Sequence, residues 1–73
     1  MSKMTNQIVN IVASGGGVIV DAEGKMADQL IKIAAASVNS GAKVIIKNAD
    51  SKMTDQLVKI AAAGRGNVIF DLS

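Results

Sequence analysis

The side chains that could do chemistry in this 73-residue chain are eight Lys or Arg, six Asp or Glu, and the hydroxyls of Ser and Thr, because Cys and His are absent. These types exclude a thiol nucleophile, an imidazole base and a Cys/His zinc site. Open α/β sheets hold their active sites at the carboxyl ends of the strands. Three charged residues follow short apolar runs and would lie at such strand ends: Asp21, Lys47 and Asp71. The small residues around them offer little concavity, so we predict a charge ladder and a non-enzymatic protein without cofactor or metal.

An internal repeat sets the elements that position these residues. Residues 25–36 (KMADQLIKIAAA) and 52–63 (KMTDQLVKIAAA) agree at ten of twelve positions, and a diverged copy begins at Lys3. Each copy has apolar residues at helical spacing, then a small-residue turn, then a short β-branched run. The chain is therefore predicted to be one αβαβαβ domain over residues 1–73, with repeats at about 3–22, 25–49 and 52–73.

Strands that are separated by helices run parallel. We predict a three-stranded sheet in the order 1-2-3 with all helices on one face. The alternative is a doubly wound sheet with helices on both faces. The one-sided layout resembles the short αβ repeats of leucine-rich-repeat solenoids, although the leucine and asparagine spacing that defines that family is absent, so the resemblance implies an architecture and no function.

The face away from the helices is the first candidate interface. Ile19, Ile45 and Ile69 form one row across it in the order 1-2-3, and the charged row of Asp21, Lys47 and Asp71 lies beside them. Parallel sheets rarely leave a face in water, and a domain this small without disulfide or metal gains stability by oligomerising. We therefore predict a protein-interaction module that forms a homodimer, or takes another protein partner, through this face.

The ends of the array are a competing interface. Natural repeat arrays end in repeats with a polar outer side, whereas the predicted first and third helices are apolar over much of their circumference. The two outer strands would also have unpaired edges. Pairing through the edges would give a continuous six-stranded sheet or, if unclosed, a filament.

Lysines before the helix starts suggest an alternative function. Lys3, Lys25 and Lys52 precede three predicted helix N-termini, whose free N–H groups attract anions, so this edge is a candidate site for an anionic ligand or nucleic acid. Neighbouring carboxylates cancel much of this field, and a net charge of +2 is small. We therefore do not expect a nucleic-acid partner. No apolar run has the length of a membrane span, and a cytoplasmic location is expected.

The helix ends are assigned from local signals. Thr5 and Thr54 are predicted N-caps, whereas Ala27 cannot cap, which leaves Asp28 or Gly24 for that helix. Gly15 and Gly64 are predicted to take the left-handed conformation that ends a helix. The middle helix, or the loop that follows it, is longer than in the other copies by about one helical turn.

Overall fold

The computed structural model describes residues 4–73, and within them each repeat forms one helix and one strand. In chain order the elements are α1 (Thr5–Ala13), β1 (Val18–Asp21), α2 (Ala27–Ser40), β2 (Val44–Lys47), α3 (Thr54–Gly64) and β3 (Val68–Phe70). Single 3₁₀ turns, Ala22–Gly24 and Ala49–Ser51, connect the first two strands to the next helix. The predicted αβαβαβ order is confirmed, including the β-branched α1, whose residues taken alone would also suit a strand.

The three strands form one parallel sheet in the predicted order β1-β2-β3. The register pairs equivalent residues of the repeats, with Ile19 opposite Ile45 and Ile45 opposite Ile69. All three helices contribute to a single core on one side of this sheet. The doubly wound alternative is therefore wrong, because a second helical layer would cover Ile19 and Ile69, which are 65% and 51% exposed.

The core lies between the helices and the helix-facing side of the sheet. Alternation along the strands turns Val20, Val44 and Ile46 toward the helices, where they are buried. Leu30 and Ile60 pack from the helical side and are fully buried. α2 packs between α1 and α3, so each helix buries its apolar stripe on the sheet and on the helix of the adjacent repeat.

The helix N-termini are capped differently from the prediction. Thr5 and Thr54 are the first residues of their helices, and Met4, Met26 and Met53 occupy the N-cap positions. In each repeat a glutamine of the first turn accepts a hydrogen bond from the N-cap backbone N–H, at 2.9–3.1 Å. This is the return half of a capping box, and it needs no Ser or Thr. The residues that cap in this way are Gln7, Gln29 and Gln56.

The helix C-termini confirm one glycine prediction and correct the other. Gly15 follows α1 with φ of 102°, as expected. Gly64 is a helical residue, and α3 ends instead at Arg65, whose φ is 48°. Gly64 is required for space, because a Cβ there would lie 2.3 Å from Val68 Cγ2. The extra turn of the middle repeat lies in α2, which has 14 residues against 9 in α1 and 11 in α3.

Substitution of Gly64 by Ala is predicted to destabilise the fold. The added methyl group would overlap Val68 and touch Ala34 Cβ at 3.4 Å, and overpacking of this kind costs about 1–3 kcal/mol. Denaturant unfolding of Gly64→Ala measures this loss. Gly24→Ala is the matched control, because no atom lies within 4 Å of a Cβ built at Gly24. Equal stability of the two variants would contradict the packing role of Gly64.

Candidate association surfaces

The open sheet face presents the predicted isoleucine row. Ile19 and Ile69 are exposed, and Ile45 on the central strand is half-buried between them. The row crosses only three strands, which lie about 4.8 Å apart, so it is roughly 10 Å long. The prediction that these side chains lie together is confirmed, and the apolar surface they form is small.

The charged row beside it is assembled as predicted but is held together differently. Asp21 lies opposite Lys47 in the sheet register. The carboxylate of Asp21 accepts hydrogen bonds from Asn48 Nδ2 at 3.0 Å and from the Glu23 backbone N–H at 2.9 Å. These two bonds lower the pKa of Asp21 the most, and the charge of Lys47 lowers it less. The closest partner of Asp21 is therefore an amide rather than the expected ammonium.

Asp71 completes the row beyond the end of β3. Its backbone N–H donates to Ile46 O at 2.9 Å, which continues the parallel ladder and places Asp71 beside Lys47. Hydrogen bonds from the Ser73 hydroxyl and backbone N–H lower the pKa of Asp71, and Lys47 again contributes less. The row alternates in charge as predicted. Each carboxylate accepts hydrogen bonds from residues close to it, Asp21 from Asn48 and Glu23, and Asp71 from Ser73.

At the opposite end of the sheet, the side chain of Asn67 reaches the helical layer. Lys43 Nζ donates to Asn67 Oδ1 at 3.1 Å, and Asn67 Nδ2 donates to the Ser37 carbonyl near the end of α2 at 3.1 Å. The side chain of Asn67 therefore satisfies a carbonyl in the last turn of α2 instead of lining the open face. The open face therefore carries the isoleucine row and the charged row, with the exposed Lys43 at its other end.

The end of the array at α3 and the outer edge of β3, here called the trailing end, is uncapped. Val58 is 61% exposed, whereas the equivalent Ile31 of α2 is half-buried, with α3 packed beside it. Ala61 is exposed although its equivalent in α2, Ala34, is fully buried. Within the described residues, the trailing end therefore exposes side chains whose equivalents in α2 are covered by the adjacent repeat.

The opposite end, formed by α1 and the outer edge of β1 and here called the leading end, shows the complementary pattern. Ile11 is 42% exposed, while its equivalents Ile33 and Ile60 are fully buried by the preceding helix. A groove of about 530 Å³ runs along β1 at this end. The groove is lined by apolar residues of both layers and by charged residues at one end: Ile8, Ile11, Val18, Ile19, Val20, Asp21, Lys25 and Lys47, with Gly24.

The lysine edge lacks a built anion site among the described residues. Lys25 and Lys52 are half-buried, and Lys25 Nζ lies 3.5 Å from Thr5 Oγ1 as a donor. Their backbone N–H groups close the 3₁₀ turns by donating to Ala22 O and Ala49 O. The third residue of this edge, Lys3, lies outside the described residues. Binding of an anionic ligand or nucleic acid here stays a prediction.

Sequence reasoning missed Asn48, which holds Asp21. Asn48 has φ of 55°, a left-handed conformation that asparagine tolerates better than most residues. An Asn directly after a strand was the available signal, because this residue type is typical of tight turns at strand ends.

Searches against protein-family models, curated proteins and solved structures find no significant match to this chain. Within residues 4–73, none of the helices combines the length and the apolar character that crossing a membrane requires. The same residues contain no group of three or more His, Cys, Asp or Glu side chains placed to hold a metal ion. Inferences about function therefore rest on the geometry of the exposed surfaces.

Removal of the Asn48 amide is predicted to raise the pKa of Asp21. Asn48→Gly keeps the left-handed backbone accessible and deletes the hydrogen bond that lowers the pKa of this carboxylate the most. A carboxyl with a lowered pKa stabilises the fold above its unfolded pKa, near 3.8, and this stabilisation is lost as the pH falls through the folded value. The variant should therefore lose less stability on acidification.

An NMR titration of the Asp21 carboxyl measures the shift directly. Asp71 is the internal control, because its partner is Ser73 and its pKa should not change. An unchanged Asp21 pKa in Asn48→Gly would contradict the assignment of Asn48 as the dominant partner.

Proposed function

We propose that this chain is a self-assembling module whose copies join end to end, with the trailing end of one copy packing on the leading end of the next. The observation that carries the proposal is the comparison of equivalent residues. Ile33 and Ile60 are fully buried where a preceding repeat covers them, and Ile11 is 42% exposed where none does. The chain already forms this type of contact twice, between α1 and α2 and between α2 and α3.

The exposed residues at the two ends match what such a contact needs. At the trailing end, the exposed Val58 and Ala61 and the half-buried Leu57 have the same small or aliphatic character as the residues of α2 on which α3 packs: Leu30, Ile31 and Ala34. A second copy placed as a fourth repeat would bring its α1 against α3, as α3 lies against α2. Burial of Ile11 and Val58 would then supply the hydrophobic stabilisation that the open ends lack.

The strand edges add directional hydrogen bonds to this contact. Val18 N–H donates to Lys43 O at 3.0 Å, so by strand alternation the N–H of Ile19 points away from β2. On the other side Asp71 N–H donates to Ile46 O, which leaves the N–H of Phe70 pointing outward. Outer edges of this kind pair readily with another strand, and β3 pairing with β1 of the next copy would continue the parallel sheet.

The ends provide a larger contact than the open face does. The face consists of strands of three or four residues and measures roughly 14 Å by 13 Å from the usual strand spacing and rise. A stable interface buries about 800 Å² of accessible surface on each partner, which is more than this face supplies alone. The ends span both the helical and the sheet layer, so they bury helix and strand together.

An end-to-end contact joins two different surfaces, and this property gives a sharp test. Heterologous contacts propagate into rings or filaments, whereas a face-to-face dimer uses the same surface on both copies.

Val58→Lys should block the trailing end, and Ile11→Lys should block the leading end, because each would bury an unpaired ammonium in the contact. Each variant alone is predicted to sediment as a monomer, and an equimolar mixture is predicted to form a heterodimer through the one intact pair of ends.

Two further variants serve as controls in the same sedimentation series. Met26→Lys adds the same charge at a side chain that is 67% exposed on the middle repeat, and it should leave assembly unchanged. Ile45→Lys should also leave end-to-end assembly intact while disrupting a face-to-face dimer. The proposal is contradicted if the wild type stays monomeric at all concentrations, or if Ile45→Lys abolishes assembly and the end variants do not.

A further inference from the structure

The register of the sheet determines which charges meet where two copies join. We infer that the joint places Asp71 of one copy directly beside Asp21 of the next, so that this like-charge contact limits assembly and charge reversal at either residue strengthens it. This inference rests on the proposed end-to-end association. It concerns the regulation of the same contact.

The neighbours follow from the pairing inside the chain. β1 and β2 pair in register from Val18 opposite Val44 to Asp21 opposite Lys47. β2 and β3 continue this register, and the Asp71 N–H bond to Ile46 O extends it to Asp71. A fourth strand added in the same register would therefore set Ile19 of the next copy beside Ile69, and its Asp21 beside Asp71.

The charge pattern changes at this point. Inside one copy each aspartate of the row has Lys47 as its neighbour, and opposite charges on adjacent strands are stabilising. At the joint two carboxylates become neighbours at about the 4.8 Å strand spacing, which is destabilising. Burial of the isoleucine row and packing of α3 on α1 of the next copy favour this joint. The repulsion between the two aspartates therefore opposes a contact that is otherwise attractive.

The other charged groups around this pair leave the repulsion in place. Lys47 of each copy lies one strand away from its own aspartate of this pair, on the side away from the joint, and also neighbours the other aspartate of its own chain, so neither lysine lies between the two carboxylates. Lys25 also lines the leading-end groove, but its ammonium is directed to Thr5 Oγ1, 3.5 Å away on α1. Glu23 is exposed after β1 and adds negative charge near Asp21. Acidification or added salt should therefore strengthen assembly, because protonation and screening both weaken the repulsion.

A charge-reversal cycle tests the inference. Asp71→Lys and Asp21→Lys each place a lysine beside an aspartate at the joint, as Lys47 lies beside Asp21 within the chain, and the dissociation constant should fall roughly five- to tenfold. The double variant Asp21→Lys/Asp71→Lys sets two lysines together, flanked by Lys47 of each copy, and should bind no more tightly than the wild type. Sedimentation measures the constants, and circular dichroism verifies that each variant is folded.

Asp50→Lys is the matched control, because it makes the same charge change at an exposed residue of the turn between β2 and α3, outside the paired strands and the charged row. The inference is overturned if the chain assembles through its ends but the two single reversals bind no more tightly than Asp50→Lys, or if the double variant binds more tightly than both. Failure of every variant, including the mixture of end-blocked chains, to assemble would instead refute the end-to-end proposal itself.

Discussion

The packing of each repeat on the next is the interaction on which this structure depends. One helix and one three- or four-residue strand cannot bury their apolar faces alone, so each repeat is stable only beside a neighbour. The middle repeat has two neighbours, and its Leu30, Ile33 and Ala34 are fully buried. The outer repeats have one neighbour each, and the apolar side chains that a further repeat would cover remain in water.

This constraint connects the composition with the proposed role. The chain has no cysteine for a disulfide and no Cys or His to hold a structural zinc ion, and the carboxylate of Asp21 is held by hydrogen bonds from Glu23 and Asn48. The exposed surface offers an apolar helix face with a strand edge at one end, and a groove along β1 at the other. Association is a function that these surfaces can perform without any reactive side chain.

The sequence predicts the architecture well because the second and third repeats are nearly identical over residues 25–36 and 52–63, and the diverged first repeat can be aligned with them. Alignment of the repeats places Ile19, Ile45 and Ile69 in one row across the sheet. The alignment predicts the register correctly because the extra residues of the second repeat lengthen α2 and leave the strand pairing unchanged. The details that depend on three-dimensional proximity were not predicted. Gln29 serves as a cap only once Met26 adopts an extended conformation, and Gly64 is needed because Val68 folds back on it.

Hydrogen exchange at the strand edges tests the central claim most directly. The N–H groups of Ile19 and Phe70 point away from β2, so they should exchange quickly in dilute solution and slowly at high concentration. The N–H of Val44, already bonded to Asn67 O at 2.9 Å, should show little dependence on concentration. End-to-end assembly would be contradicted if the N–H groups of Ile19 and Phe70 still exchanged quickly at high concentration while the NMR signals of the Ile45 side chain changed. That result would place the contact on the open face.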